Sequence, residues 1–503
     1  MWVLDKLKSM KDSDKVALIH RQRKITFKEL WELSEKIAAY HNEKLMSKAP
    51  ILIYGNKDIE ITVVMLAALK TGRAYVCIDT TFPKERVQKI ATITEAELIY
   101  NFSKEDFSDF VFEHDIKVKT HDDFELFTAG GHVEVEESSW VTESDICYIL
   151  FTSGSTGEPK GVSITKKNVV NFINGFKKYL EISGMGNALN QVSYSFDVSG
   201  IQFYYHLACG NTLFNVDNAM VTDSGELFGH LRDSEIESWV STPSFMEMCV
   251  VYDEFNQNML PKLSRIVLAG EILTKKLVEK LKNKFPDAKV VNGYGPSEIT
   301  ILTSACEISE DMLHQADNLP IGYVLEEATY WIEQQAESKD ANIEEGELIV
   351  VSDSVCDGYY KQPTLTEACF FKFDGKRGYR TRDLVYKKDN LLYFKGRTDF
   401  QIKLNGYRIE LEDIENNMRK IDIVSNTAVA PIYRDEKVAY IQAFVVLAER
   451  NEGSSLKTKL QIKEELKKRV PSYMIPKKIT ILDKLPMNSN GKVDRKKLVE
   501  EYD

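Results

Sequence analysis

Thr152 to Lys160 read "TSGSTGEPK", directly after the apolar run Tyr148–Phe151. Thr152, Ser153, Gly154, Ser155, Thr156 and Gly157 are small enough to let main-chain N–H groups approach a polyphosphate, and Lys160 adds charge. The loop is not a Walker A motif, which needs Gly-Lys-Ser/Thr after its glycines; here Pro159 precedes the lysine and Gly161 follows it. Alone, it reads equally well as a strand-end turn.

Four other stretches extend the chemistry. "NGYGPSE", Asn292–Glu298, holds Gly293, Gly295 and Ser297 around Tyr294, a ring that can stack on a base, and ends on Glu298, a hard oxygen ligand suited to Mg²⁺. "YRTRDL" presents Asp383, a carboxylate able to take both hydroxyls of a ribose. "GRTDFQIKLNGYRIELEDIE" puts Arg397, Asp399, Lys403, Gly406 and Arg408 in one short segment. "LPMNSNGKVDRKK" presents Lys492 in a polar turn, where a solvated lysine is the plainer reading.

The elements that must position these residues follow two textures. Residues 51–102 alternate short apolar strands with segments of helical length, a βαβαβ order that implies a parallel, doubly wound sheet. The alternation recurs from "WVSTPS" to "KVVNGYG". After about Gly346, short strands and turns suggest an antiparallel region, and from "DFQIKL" onward a smaller α+β segment with a helix over Leu411–Ile421. The chain's 503 residues exceed a single core, and a boundary is expected near Gly396–Asp399.

A net charge of −12 argues against a general nucleic-acid or anionic-membrane binder. No apolar run is long enough to span a bilayer, and the seven scattered cysteines form no CxxC pair, which suits a reduced, cytoplasmic protein. No HExxH or metal-like histidine cluster is present.

In this order, from "ITFKEL" at 25–30 to "NGKVDRKK" at 490–497, the motifs resemble the adenylate-forming family of acyl-CoA synthetases, luciferases and nonribosomal peptide synthetase adenylation domains. The resemblance implies an α/β fold: a large N-terminal part of two doubly wound subdomains plus a β region, 1–397, and a small mobile α+β C-terminal domain, 398–503. It implies ATP with Mg²⁺. Thr152–Lys160 would hold the β- and γ-phosphates, Tyr294 would stack on adenine, and Asp383 would bind ribose. Glu298 with Ser297 would hold the metal. Lys492, with Arg397, would serve the attack of a carboxylate on the α-phosphate. Rotation about Asp399 would then replace Lys492 by the Lys403–Tyr407 segment for transfer to a thiol. The family usually has Thr-Gly-Asp where this chain has Thr381-Arg382-Asp383, and at a positive φ that arginine brings strain.

In amino-acid-activating members an aspartate placed like Asp197 pairs with the substrate amine; the plainer reading is a helix N-cap. The rest of the pocket would be Val198, Ile201, Ser241, Val267, Ala269, Gly293, Ile301 and Leu302. In texture the chain is similar to D-alanine–D-alanyl carrier protein ligases, yet those have a cysteine at the position of Ala269 and a threonine at Gly293. The smaller residues imply a larger substrate, an aromatic amino acid or an aminobenzoate-type acid, because an alanine-sized pocket would leave a void. With no carrier sequence after Lys492, the acceptor is expected in trans, the phosphopantetheine thiol of a separate carrier protein. A D-alanine ligase of cell-wall chemistry and a lapsed nucleotide-binding protein are the alternatives, and a monomer is expected by analogy.

Overall fold

The computed structural model describes the chain apart from residues 1, 129–130, 132, 155–157, 182–185, 316–317, 335–343, 435–436, 449–454, 488–492 and 503. Two sheets organise the large part. One runs, in spatial order, 323–324, 304–307, 289–294, 265–269, 236–241, 187–190, 212–215, 16–20, 23–26, parallel in its interior and antiparallel at both edges. The other runs 117–119, 98–101, 51–54, 75–78, 146–152, 160–165, parallel except for its last pair. The five elements expected over 51–102 form at Ile51–Tyr54, Ile59–Lys70, Tyr75–Ile78, Lys84–Thr94 and Leu98–Asn101.

Helix Ile59–Lys70 is buried at every residue. A helix apolar all round is one that packs on all sides. Its two charged residues are paired: Lys70 donates to Glu35 at 2.5 Å and Arg23 to Glu60 at 2.5 Å. Residues from both sheets join one hydrophobic core around it.

The β region is antiparallel, as expected, but its strands are long: Glu344–Val351, Lys376–Lys388 and Leu391–Arg397. Pairing of the last two sets Asp383 directly opposite Arg397. The small part begins with a hairpin, Gln401–Leu404 and Tyr407–Glu410, followed by helix Leu411–Arg419. Strands Val424–Arg434, Lys437–Leu447 and Lys478–Ile481 form a second, three-stranded sheet over a separate core.

Candidate active site at the seam of the two parts

Strands Asn187–Asn190, Ile236–Ser241, Arg265–Ala269, Lys289–Tyr294 and Ile146–Thr152 all direct their C-terminal ends at one place. Ligands of open α/β sheets bind there. The hairpin of the small part enters from the opposite side. Between them lies a cavity of about 120 Å³, lined by Thr152, Ser153, Asp197, Ser297, Asp383 and Arg397 from the large part and by Lys403, Gly406, Tyr407 and Arg408 from the small one.

The phosphate-loop candidates divide. Ser155, Thr156 and Gly157 lie outside the described residues. Thr152 Oγ1 is buried with no partner among the described residues, a hydroxyl ready for an anion. Ser153 Oγ donates to the carbonyl of Arg408 and accepts from the N–H of Glu410, both at 3.1 Å, so the loop is zipped to the hairpin. Lys160 lies 3.4 Å from Glu410 and its ammonium stands over the Tyr359 ring. Burial pushes its pKa down, Arg408 adds to that, and Glu298 and Glu410 oppose it.

Glu298 is fully buried, with Oε1 accepting from the Tyr359 hydroxyl at 2.8 Å and Oε2 from Arg408 Nη1 at 2.6 Å. Burial works to raise its pKa, but Arg408 and Lys160 overcome this and hold it well below the usual carboxylate range. The ionised carboxylate fits a hard cation chemically. In the arrangement described, its Oε2 accepts from the guanidinium, so a metal there would share that oxygen with the hairpin.

Asp383 accepts from both the Tyr294 hydroxyl and Arg397. Arg397 also grips Asp399 with both of its remaining faces, Nε to Oδ1 at 2.7 Å and Nη2 to Oδ2 at 2.9 Å. Asn292 Nδ2 bonds the carbonyl of Pro320 and faces the strand's surroundings rather than the cavity. Lys403 reaches the cavity within the field of Asp383 and Asp197, which raise its pKa against a larger lowering by burial. Gly406 has φ +82° and its N–H donates to Glu271 at 2.6 Å; a Cβ there would stand 2.6 Å from Thr242 Cγ2. Asn405 and Gly406, both at positive φ, close the hairpin with the backbone of a type I′ turn.

Lys492 lies outside the described residues. Its neighbours are anchored to the small part: Met487 bridges Val493, and Arg495 pairs with Glu415 at 2.7 Å. No described residue beyond Tyr473 lines the cavity.

Asp197 is not a helix N-cap. Its Oδ1 accepts from the N–H of Val198 at 2.7 Å and its Oδ2 from Ser297 Oγ at 2.5 Å, while the following π-helical turn Ile201–His206 starts from an uncapped Gly200. Burial pushes its pKa up; Ser297 and Lys403 act the other way. Val198 and Ile301 line the cavity with it, whereas Ile201, Ser241, Val267, Ala269, Gly293 and Leu302 lie packed behind. Ser241 is spent on Trp239 and on the Thr242 carbonyl.

The enlarged pocket expected from Ala269 and Gly293 does not form. Thr300 and Ile301 sit at φ +53° and +73°, a strained backbone for β-branched residues. That turn drives Leu302 inward. A Cβ on Gly293 would lie 3.0 and 3.1 Å from the two Leu302 methyls and 3.4 Å from Ala269 Cβ, so leucine fills the volume the small residues release. Ile301 closes on Gly200 in the same way, 2.6 Å from a Cβ placed there.

Sequence reasoning missed Glu271, Thr242, Tyr359 and Glu410, which hold the hairpin or its partners. The Asn-Gly pair within "IKLNGYRI" was the available signal for the hairpin. It also missed that Asp58, Glu60 and His121 bring ligand atoms within 4.8 Å of one another, although Arg23 already pairs with Glu60. Among the described residues no helix is long and apolar enough to cross a membrane, and the seven cysteines are unpaired.

Comparison with known proteins agrees with this architecture. Over 491 residues the chain is 37% identical to the D-alanine–D-alanyl carrier protein ligases of Bacillus mycoides (strain KBAB4) and Bacillus cereus (strain AH187), covering 97% of this chain and 96% of each relative. It superposes on the Vibrio cholerae adenylation domain AlmE, solved with glycyl-adenosine-5'-phosphate, with TM-score 0.80 at 21% identity over 99% of this chain and 97% of that one. It superposes on o-succinylbenzoate CoA synthetase of Bacillus subtilis with TM-score 0.84 at 19% identity, 98% of each chain covered. The family model for the AMP-binding enzyme matches residues 7–360 and that for its C-terminal domain residues 413–492. The chain therefore belongs to the AMP-binding enzyme family and is an adenylate-forming ligase.

Proposed function

We propose that this ligase activates a small amino acid, D-alanine or one of its size, and passes it to the phosphopantetheine thiol of a separate carrier protein. The observation that carries the size is Leu302 packed on Gly293 and Ala269. The half-buried Asp197 carboxylate, which lines the cavity and among the described residues accepts from one hydroxyl and one N–H, would supply the counter-charge for an ammonium. The 37% identical relatives named D-alanine–D-alanyl carrier protein ligases support the same reading.

In the first half-reaction the substrate carboxylate attacks the α-phosphate of ATP. The new C–O–P bond forms as the bond to pyrophosphate breaks. Thr152 and Lys160 would bind the departing phosphates, Tyr294 would take the adenine and Asp383 the ribose. Glu298 and Ser297 would hold Mg²⁺, whose charge offsets the negative charge developing on the phosphates. Lys492 would enter the site for this step, with 398–503 turned about Asp399 relative to 1–397.

In the second, the thiol sulfur attacks the acyl carbonyl, loses its proton, and AMP leaves. The arrangement described suits this step: Arg408 sits on Glu298, and Gly406 passes tightly between Thr242 and Glu271. Two steps sharing one cavity require that the lid move between them.

Substrate-dependent pyrophosphate exchange tests the reading. D-alanine should give the strongest response, with L-alanine weaker and aromatic amino acids and ortho-aminobenzoate near background. A strong response to an aromatic amine-bearing acid, with alanine poor, would overturn it.

A further inference from the structure

We propose that Arg382 is a positioning residue that restrains the pivot, holding the lid in the arrangement that serves the thiol step. The inference rests on the two-step reading above. Arg382 stands in an irregularity of strand Lys376–Lys388, where the pairing with Glu344–Val351 jumps from Leu384 to Arg380 while its partner advances only from Glu347 to Ile349. Such bulges re-aim a side chain. Arg382 has φ +59°, the conformation a glycine takes at no cost, and an arginine is strained there.

The contacts that Arg382 makes point toward the pivot. Its N–H is fixed to the large part by Glu347 Oε1 at 2.9 Å. Its carbonyl accepts from the N–H of Thr398 at 2.9 Å and from Thr398 Oγ1 at 3.3 Å. Its guanidinium runs on past Cys369 Sγ, at 3.8 Å, to stand 3.9 Å from Asp399 Oδ2. Arg397 already grips that carboxylate. Asp399 thus lies between two arginines of the large part, and any turn that carries it away must leave both. Glycine at position 382 would keep the carbonyl contact but provide no charge. The guanidinium is half exposed, so its hold is that of a partly screened pair, a two- to five-fold bias between lid arrangements.

The test uses Arg382→Gln, which removes charge and retains a side chain at the strained position, and Arg382→Gly, which removes both. Two quantities are read on the full chain. Hydrogen exchange of the 398–404 amides, without any substrate, should be about two- to five-fold faster in both variants. The ratio of thioester formation to pyrophosphate exchange with D-alanine should fall by a similar factor, and high salt should bring wild type toward the variants. A change in Arg382→Gly alone would assign the effect to the backbone and overturn the role of the guanidinium. Unchanged exchange in both variants would overturn it as well. If wild type activates no amino acid, the two-step reading fails separately, and the exchange measurement still decides this one.

Discussion

Arg408 Nη1 meets Glu298 Oε2 at 2.6 Å, with the carboxylate fully buried and the guanidinium nearly so. On the proposed reading, a guanidinium of the small part stands where the first half-reaction would call for a metal. On that reading, lid entry and metal binding would compete at Glu298. Excess free Mg²⁺ is expected to slow thioester formation and to leave pyrophosphate exchange unaffected. Arg408→Ala should lower thioester formation by at least about a hundred-fold, because breaking a buried pair costs about 3–5 kcal/mol. Stopped-turnover assays of the two steps check both; equal loss in the two would refute the exchange.

The same pair sets an acid limit. Glu298 has its folded pKa depressed, so its contribution to stability is complete above the unfolded value of about 4.3 and is lost as pH falls below it toward the folded value. Urea midpoints of wild type should drop steeply below about pH 5. In Arg408→Met the drop should be shallower, since the carboxylate there has lost its main counter-charge.

Gly406→Ala should separate the half-reactions more cleanly still. The added methyl meets Thr242 Cγ2 at 2.6 Å, and φ +82° is strained for alanine. On the two-step reading this contact belongs to the arrangement that serves the thiol step. Pyrophosphate exchange should stay within about two-fold of wild type while transfer falls by at least about ten-fold, as for 1–3 kcal/mol of strain.

Asp197 predicts a pH profile. Burial raises its pKa, so it gains a proton at a pH where an exposed aspartate would still be charged, and the ammonium of the substrate then loses its partner. KM for the amino acid should rise as pH falls toward that range, with kcat little changed. Asp197→Asn should show a high KM with no such dependence; a KM flat with pH in wild type would remove Asp197 from amine binding.

Leu302→Ala should reopen the volume beside Gly293. The cost in stability is about 2–5 kcal/mol. Larger amino acids should gain in pyrophosphate exchange relative to D-alanine, and unchanged selectivity would show that Leu302 does not set the size.

Much of the fold was legible because short apolar strands alternate with segments of helical length over 51–102, punctuated by Gly55, Gly72 and Pro83. The site motifs were legible one by one for the same local reason. What local pattern could not show is what fills space. Ala269 and Gly293 read as room because the turn that aims Leu302 at them, with Thr300 and Ile301 at positive φ, has no glycine to announce it. The partners Glu271 and Tyr359 were invisible because they meet Gly406 and Glu298 across long sequence separations. Arg382 does have a positive φ, the condition under which its replacement of glycine was read as strained, and the arginine's reach to Asp399 was not foreseeable from that.

The two parts of the chain keep separate hydrophobic cores, linked by the Tyr473 ring, which packs on both, and by Tyr407, which stacks on Tyr473 and meets Phe196 edge-on. Charged and polar contacts, such as Arg408 with Glu298, Arg86 with Asp413 and Lys160 with Glu410, make up much of the rest of the seam. On heating, the lid then answers to a core the size of a small domain, and calorimetry should resolve a minor, early transition ahead of the main one. A molecule lodged in the seam binds both bodies at once, so it should draw the two transitions together into one. On the two-step reading, the freedom that would let the lid turn is the same freedom that would let it melt alone.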